Sequence, residues 1–402
     1  MTDLLASLRD ELATLGAEGA LRPLAVLQGP QAAEVTVEGH RLINLCSNNY
    51  LGLTTHPALV EAAAAAARAW GAGSGAVRTI AGTQSIHEEL ERRLAAFKGT
   101  EAALTLQSGY AANLGVLGSL LGEPDAVVSD QLNHASIIDG IRLTRAQRFL
   151  FRHRDVDDLE AQLESARRQG RRRVLVVTDG VFSMDGDIAP LPAIVARAEA
   201  AHASVMVDDA HATGVLGRQG RGSVDHFGLQ GRVLIQVGTL SKAVGVLGGY
   251  VAAPAEVRTL LIHAARPFLF STSHPPAVVA ACLAALEVME AEPERQARLW
   301  ANTNHFKAGL QRLGFDCGRS ETPITPVIVG SAERAMALAD ALRERGVFAQ
   351  GLGFPTVPRE SGRVRTIVTA GHTTEQLDRA LEAFASAGRV LDLLPSPSRA
   401  RP

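Results

Sequence analysis

Lys242 stands in Thr239-Leu240-Ser241-Lys242, at the end of an apolar run and just ahead of the glycine-rich residues 243–249. A lysine drawn out of water loses its proton more readily and becomes a nucleophilic amine. The hydroxyls of Thr239 and Ser241, with nearby backbone N–H groups, are suited to hold an anion such as a phosphate. The same four residues also read as a plain surface turn, so the rest of the chain must decide. One apolar run earlier, Ser204-Val205-Met206-Val207 leads into Asp208-Asp209-Ala210-His211. Ligands of open α/β sheets bind at the carboxyl ends of strands. A carboxylate placed there can keep a pyridine nitrogen protonated, and a histidine three residues on can reach a phenolic oxygen. Lysine, carboxylate and phosphate site together are what pyridoxal 5′-phosphate (PLP) requires of a protein. A metal-binding acidic pair or a helix cap at Asp208 remains an alternative at this point.

Further residues fit the same chemistry. Gln107-Ser108-Gly109-Tyr110-Ala111-Ala112-Asn113 marks a helix start. The first-turn N–H groups of a helix lack partners, and Gly109 lets the backbone come close to a phosphate. A simple Ser-Gly cap is the other reading. His134, in Asp130-Gln131-Leu132-Asn133-His134, is placed to stack on a planar ring or to serve as a loop histidine. Ser183, in Asp179-Gly180-Val181-Phe182-Ser183-Met184-Asp185-Gly186-Asp187, can donate to a ring oxygen or merely shape a turn. Alternation puts Arg363 and Arg365 on one face of a strand, where a guanidinium can hold a substrate carboxylate or make a surface ion pair.

The elements that must carry these residues are legible in outline. Leucines 4, 5, 8, 12 and 15 recur at helical spacing, and residues 34–46 suggest a hairpin turning at Glu38-Gly39. From about 55 to 285, helical patterns alternate with apolar runs at 126–128, 148–151, 174–178, 204–207 and 233–237. That predicts an α/β layer with a mainly parallel sheet covered on both faces. A long helical connector is predicted over 276–313. After it, strands near 326–329 and 364–368 and helices near 331–345 and 373–388 predict a smaller α+β unit. The tail 395–402 is expected to fray.

Composition fits a large folded protein. The 402 residues are 46% hydrophobic and 20% charged, with 40 basic and 42 acidic side chains and a net charge of -2. That balance favours neither nucleic acid nor an anionic membrane as partner. The start has no basic and apolar leader pattern and no run reaches spanning length, so a cytoplasmic protein is expected. Three scattered cysteines, Cys46, Cys282 and Cys317, suit a reducing compartment, and no metal site is expected.

The motifs, taken in order, resemble the α-oxoamine synthases, class II aminotransferase-like PLP enzymes. The likeness runs from Asn44-Leu45-Cys46-Ser47-Asn48-Asn49-Tyr50-Leu51-Gly52-Leu53 to Thr369-Ala370-Gly371-His372-Thr373. Gly71-Ala72-Gly73-Ser74-Gly75, the Asp208 and Lys242 motifs, and Arg266-Pro267-Phe268-Leu269-Phe270-Ser271-Thr272-Ser273 lie between. Gly371 departs from the alanine usual in that motif. The resemblance implies PLP-dependent transferase fold type I: a seven-stranded, mainly parallel sheet between helices over 46–288, a smaller α+β domain over 289–402, and an N-terminal arm over 1–45.

It also implies roles. Lys242 is the attachment point and proton carrier, Asp208 the partner of the ring nitrogen, and His211 and Ser183 the contacts of the ring oxygen. His134 stacks on the ring and meets substrate. Gly109, Tyr110, Thr239 and Ser241 hold the phosphate, with Ser271 and Thr272 reaching over from a second subunit of a homodimer. Arg365, with Asn48, binds the amino-acid carboxylate. The implied substrates are an acyl-CoA and glycine or alanine. Glycine with acetyl-CoA, giving 2-amino-3-oxobutanoate in threonine degradation, ranks first, and dual specificity stays open. Alanine with a pimeloyl thioester, giving 8-amino-7-oxononanoate for biotin synthesis, is the alternative. An aminotransferase or lyase of the same fold stands behind both.

Overall fold

A computed structural model of the chain describes residues 3–17, 24–354 and 356–394. The tail expected to fray lies outside the described residues. At the centre is a seven-stranded sheet. Its spatial order is Ala102–Leu106, Gly249–Ala253, Ile235–Thr239, Ser204–Asp208, Val174–Asp179, Ala126–Asp130 and Gln147–Phe151. Only Gly249–Ala253 runs antiparallel to its neighbours. Both of its pairings reverse direction, so Ala102–Leu106 points the same way as the remaining five strands. Six strands therefore deliver their carboxyl ends to one edge.

Alternation along these strands sorts the side chains to two covered faces. Val127, Leu175, Val177 and Met206 pack in one cluster with Val116 and Leu117 of the helix Gly109–Leu120. Val128, Val176, Val205 and Val207 pack in the other with Leu159 and Ile194 of the helices Val156–Arg168 and Leu191–Ala200. The five predicted runs all became strands. Ala102–Leu106 and Gly249–Ala253 were not among those runs, the second because the glycine-rich residues 243–249 read as a flexible loop. A Cβ on Gly249 would lie 2.2 Å from the Ser108 carbonyl oxygen, so that glycine serves close approach of two backbones.

The predicted connector over 276–313 is two helices, Pro276–Ala291 and Glu294–Leu313. Pro293 has no N–H to continue the first helix and disfavours helical geometry at Glu292, whose φ is -119° and ψ 61°. Beyond them Ile324–Gly330, Gly362–Ile367 and Gln350–Leu352 form an antiparallel sheet backed by Ala332–Glu344 and Thr374–Val390. The predicted hairpin is present as Glu34–Val37 and His40–Asn44, with Glu38 and Gly39 both at positive φ in its turn. It joins this C-terminal unit: Val347–Phe348 pairs with it, and Ile43 and Leu45 share a core with Phe306 and Phe384. The helix Leu4–Ala17 buries none of its side chains. No helix among the described residues is long and apolar enough to cross a membrane.

Candidate active site

A cavity of ≈ 180 Å³ opens at the carboxyl edge of the sheet. Gly109, Tyr110, His134, Ser183, Asp208, His211, Thr239, Ser241 and Lys242 line it, joined by Ser108, Ser136, Asp179, Val181 and Ala210. Residues predicted from five separate segments thus meet in one place.

Lys242 follows the strand Ile235–Thr239, and its Nζ lies 2.7 Å from His211 Nε2. Burial is the main force lowering this lysine to about 8; Arg365 adds to it, while Asp208 and Asp179 pull the other way. Burial also drives His211 well below the usual histidine range, helped by the charges of Lys242 and Arg365. His211 is therefore a neutral imidazole, and its Nδ1 sits 2.7 Å from the buried Tyr50 hydroxyl.

Asp208 and Asp209 are neighbours in sequence but face opposite sides of the sheet. Asp208 lies on the Met206 side, where its Oδ2 accepts from Asn113 Nδ2 at 2.7 Å and its Oδ1 from the Ala210 N–H at 2.9 Å. Asp209 turns into the opposite core, accepting from Lys98 Nζ at 2.8 Å with both side chains fully buried. That divergence removes the metal-pair reading, and no metal-ligand grouping occurs among the described residues. Asn113 Nδ2 also donates to Ser136 Oγ, which lies 2.7 Å from His134 Nδ1. His134 caps the helix Ala135–Leu143, and its N–H donates to Asp179 Oδ2. Asp179 pairs in register with Asp208; burial and then the Asp208 charge push its carboxyl well above the usual range.

At the other end of the cavity, Ser108 caps the helix Gly109–Leu120. Its Oγ accepts from the Ala111 N–H and its carbonyl from the Ala112 N–H. The N–H groups of Gly109 and Tyr110 are left over as first-turn donors. Thr239 Oγ1 and Ser241 Oγ are 2.7 Å apart beside them. A Cβ on Gly109 would lie 3.3 Å from the Thr239 Cβ, so the glycine keeps this end open.

Arg365, on the strand Gly362–Ile367, and Asn48 do not line the cavity; Arg365 sits against Ser183, which does. Its Nε donates to the Ser183 carbonyl at 2.6 Å, and its Nη2 lies 3.4 Å from Asn48 Oδ1. Burial lowers it from the usual arginine value, yet no carboxylate among the described residues pairs with it. Arg363 lies on the same side, as alternation predicts, but is taken up by Asp185 and the Met184 carbonyl. Ser271 and Thr272 do not line this cavity; the Thr272 carbonyl accepts from Gln107 Nε2, next to Ser108.

Tyr50, Asn113, Ser136 and Asp179 are site residues that the sequence reading passed over. Asp179 had a signal, since it ends an apolar run just as Asp208 does. Asn113 had one too, one helical turn past Gly109. Nothing local marks Tyr50, whose partner is far along the chain.

The donor set fits PLP. A buried, hydrogen-bonded carboxylate suits a protonated ring nitrogen, and a buried lysine with a lowered affinity for protons suits the aldehyde. Open helix-start amides with two hydroxyls suit the phosphate, and an unpaired buried guanidinium suits a substrate carboxylate.

Comparison with known proteins agrees. The family described as aminotransferase class I and II matches residues 40–384. The 8-amino-7-oxononanoate synthase of Symbiobacterium thermophilum is 61% identical over 98% of this chain and 100% of its own. The 8-amino-7-oxononanoate synthase 1 of Bacillus subtilis is 54% identical, over 98% of this chain and 100% of its own. A serine palmitoyltransferase of S. paucimobilis, solved with a PLP–myriocin adduct, superposes with a TM-score of 0.92 at 34% identity, covering 98% of this chain and 100% of that one. The chain belongs to the aminotransferase class I and II family, within its α-oxoamine synthase branch, and is a PLP-dependent enzyme of the acyltransferase type.

Proposed function

We propose that the enzyme is an 8-amino-7-oxononanoate synthase, joining L-alanine to a pimeloyl thioester with release of the thiol and of carbon dioxide. The observation that carries this is full-length identity of 61% and 54% to two proteins of that name. It reverses the order in which the sequence motifs ranked the two reactions, since neither of these relatives is named for glycine with acetyl-CoA or for threonine degradation.

PLP, when bound, supplies a conjugated ring that takes up the electron pair left by a bond broken at the amino-acid α-carbon. The chain does the rest. Asp208, fixed by Asn113 and the Ala210 N–H, would pair with the ring nitrogen and favour its protonated form. Gly109, Tyr110, Thr239 and Ser241 bind the phosphate. His134, steadied by Ser136 and Asp179, would lie against the ring. His211 and Ser183 attend the ring oxygen. Lys242 holds the cofactor at rest, and its amine then takes the proton from the α-carbon. Arg365, with Asn48, orients the substrate carboxylate. We further infer a homodimer in which Ser271 and Thr272 complete the phosphate site of the partner.

The test is thiol release measured with alanine and pimeloyl-CoA against glycine and acetyl-CoA. A clear preference for the first pair is expected. Equal or better turnover of the second pair would overturn the assignment, and release from neither would remove both.

A further inference from the structure

Outside the cavity, one charged cluster grips both of its walls. His153 follows the strand Gln147–Phe151 and does not line the cavity. Its Nδ1 lies 3.0 Å from Asp130 Oδ1, and its Nε2 lies 2.9 Å from Asp187 Oδ2. Those carboxylates are 1% and 2% exposed. A neutral imidazole has one N–H and could serve only one of them; serving both requires the imidazolium. Asp130 begins the loop that carries His134, and its Oδ1 also accepts from the Leu132 N–H. Asp187 closes the turn that carries Ser183, where the Phe182 N–H donates to the Asp187 carbonyl. The cavity ends of these segments are tied by Asn133 and His134 to Asp179. His153 ties their outer ends.

The turn it anchors is also the seat of the small sheet. Arg365 rests on the Ser183 carbonyl, Arg363 on Asp185, and the Glu321 N–H and Thr322 hydroxyl on the Gly186 carbonyl. We propose that His153 is a positioning residue: as an imidazolium it clamps the His134 loop to the Ser183 turn, and so sets both the cofactor walls and the perch of Arg365. The proposal rests on this cavity being the PLP site, not on which acyl group is transferred.

The charges around the ring agree. Asp130 faces it from one loop and Asp187 from the turn. Arg154 follows it in the chain, bonding Asp130 through its N–H and Asp187 through Nη1. Glu321 joins from the C-terminal unit through Arg154, and the Phe182 ring lies edge-on at 4.4 Å. Burial pulls the imidazolium down, but the hydrogen bonds and charges of the two aspartates outweigh it and lift it to about 9.

Holoenzyme with ¹⁵N-labelled histidine gives the first readout, with the His153 signal assigned by its loss in His153→Gln. Both ring nitrogens should stay protonated through pH 8, and a ring that titrates below pH 7 would overturn the proposal. The second readout is PLP affinity, from absorbance titration of apoprotein, together with the KM for L-alanine. His153→Gln should weaken PLP and raise that KM by roughly tenfold each, with kcat changed less, as expected when positioning rather than chemistry is lost. The wild-type KM should climb as pH passes 9, and that of the variant should not. Adding Asp130→Asn should recover part of the PLP affinity, since Asp187 keeps Arg154 while Asp130 is left with backbone N–H donors alone. Wild-type PLP affinity, KM and pH profile in His153→Gln would overturn the clamp. If that variant does not fold, the pH step in the wild-type KM decides. The nitrogen signals and PLP affinity use no acyl substrate, so they stand even if the pimeloyl assignment falls.

Discussion

Lys242 shows how burial makes a surface-type residue reactive. Held at about 8, roughly a tenth of it is free amine at pH 7, against fewer than about one in a thousand for an ordinary lysine. The neutral amine is the attacking form. The rate at which apoprotein takes up PLP, followed by absorbance, should therefore rise with pH and level off above about 8. A rate still climbing steeply at pH 10 would mean that Lys242 is an ordinary lysine. Lys242→Ala should cut turnover by about 10²–10⁴-fold or more, since it removes both attachment and proton transfer. Tyr50 tests the next shell of the same network. Tyr50→Phe leaves one nitrogen of the buried, neutral His211 without its partner. The expected cost is about 1–3 kcal/mol in denaturant unfolding of the apoprotein. An unchanged midpoint would show that the Tyr50 contact contributes nothing.

Elements matter where they carry charge into the core. Lys98 ends the helix Ser85–Lys98 and meets Asp209 at the end of the central strand, with both side chains fully buried. Lys98→Met should destabilise the protein by about 3–5 kcal/mol, because it strands a buried carboxylate. Lys98→Met with Asp209→Asn should be milder than the single change, and additive losses in thermal unfolding would refute a paired charge. The adjacent acids also mark how far the sequence could be read. Alternation puts the neighbours Asp208 and Asp209 on opposite faces, yet the sequence left an acidic pair open; the Asn113 and Lys98 contacts separate them. The apolar runs and helix starts were legible because burial and capping leave local patterns. The strand at Gly249 was not, since Gly249 answers to Ser108 on another segment. Tyr50 and His153 were not either. Their meaning lies in contacts with His211, Asp130 and Asp187, and no periodicity records such contacts.

At the scale of the molecule, one chain leaves two kinds of loose end. Ile80 and Phe270 are large apolar side chains at 83% and 69% exposure. Ser271 and Thr272, next to Phe270, stand outside the cavity of their own chain. A homodimer in which these segments reach the partner's site accounts for both, and two-fold assembly is the commonest kind. Sedimentation should give a dimer at micromolar concentration. Mixing variants separates shared sites from separate ones. One subunit carries Lys242→Ala; the other carries Ser271→Ala with Thr272→Ala. If the sites are shared, a hybrid dimer has one site with the intact lysine of one subunit and the intact hydroxyls of the other. Random exchange makes about half the dimers hybrid, so the mixture should regain about a quarter of wild-type activity. If each chain builds its own site, every site in the hybrid keeps a defect and the mixture does no better than the average of its parents. Recovery above that average, appearing at the rate of subunit exchange, is the expected result, and its absence after exchange is complete would remove the shared site.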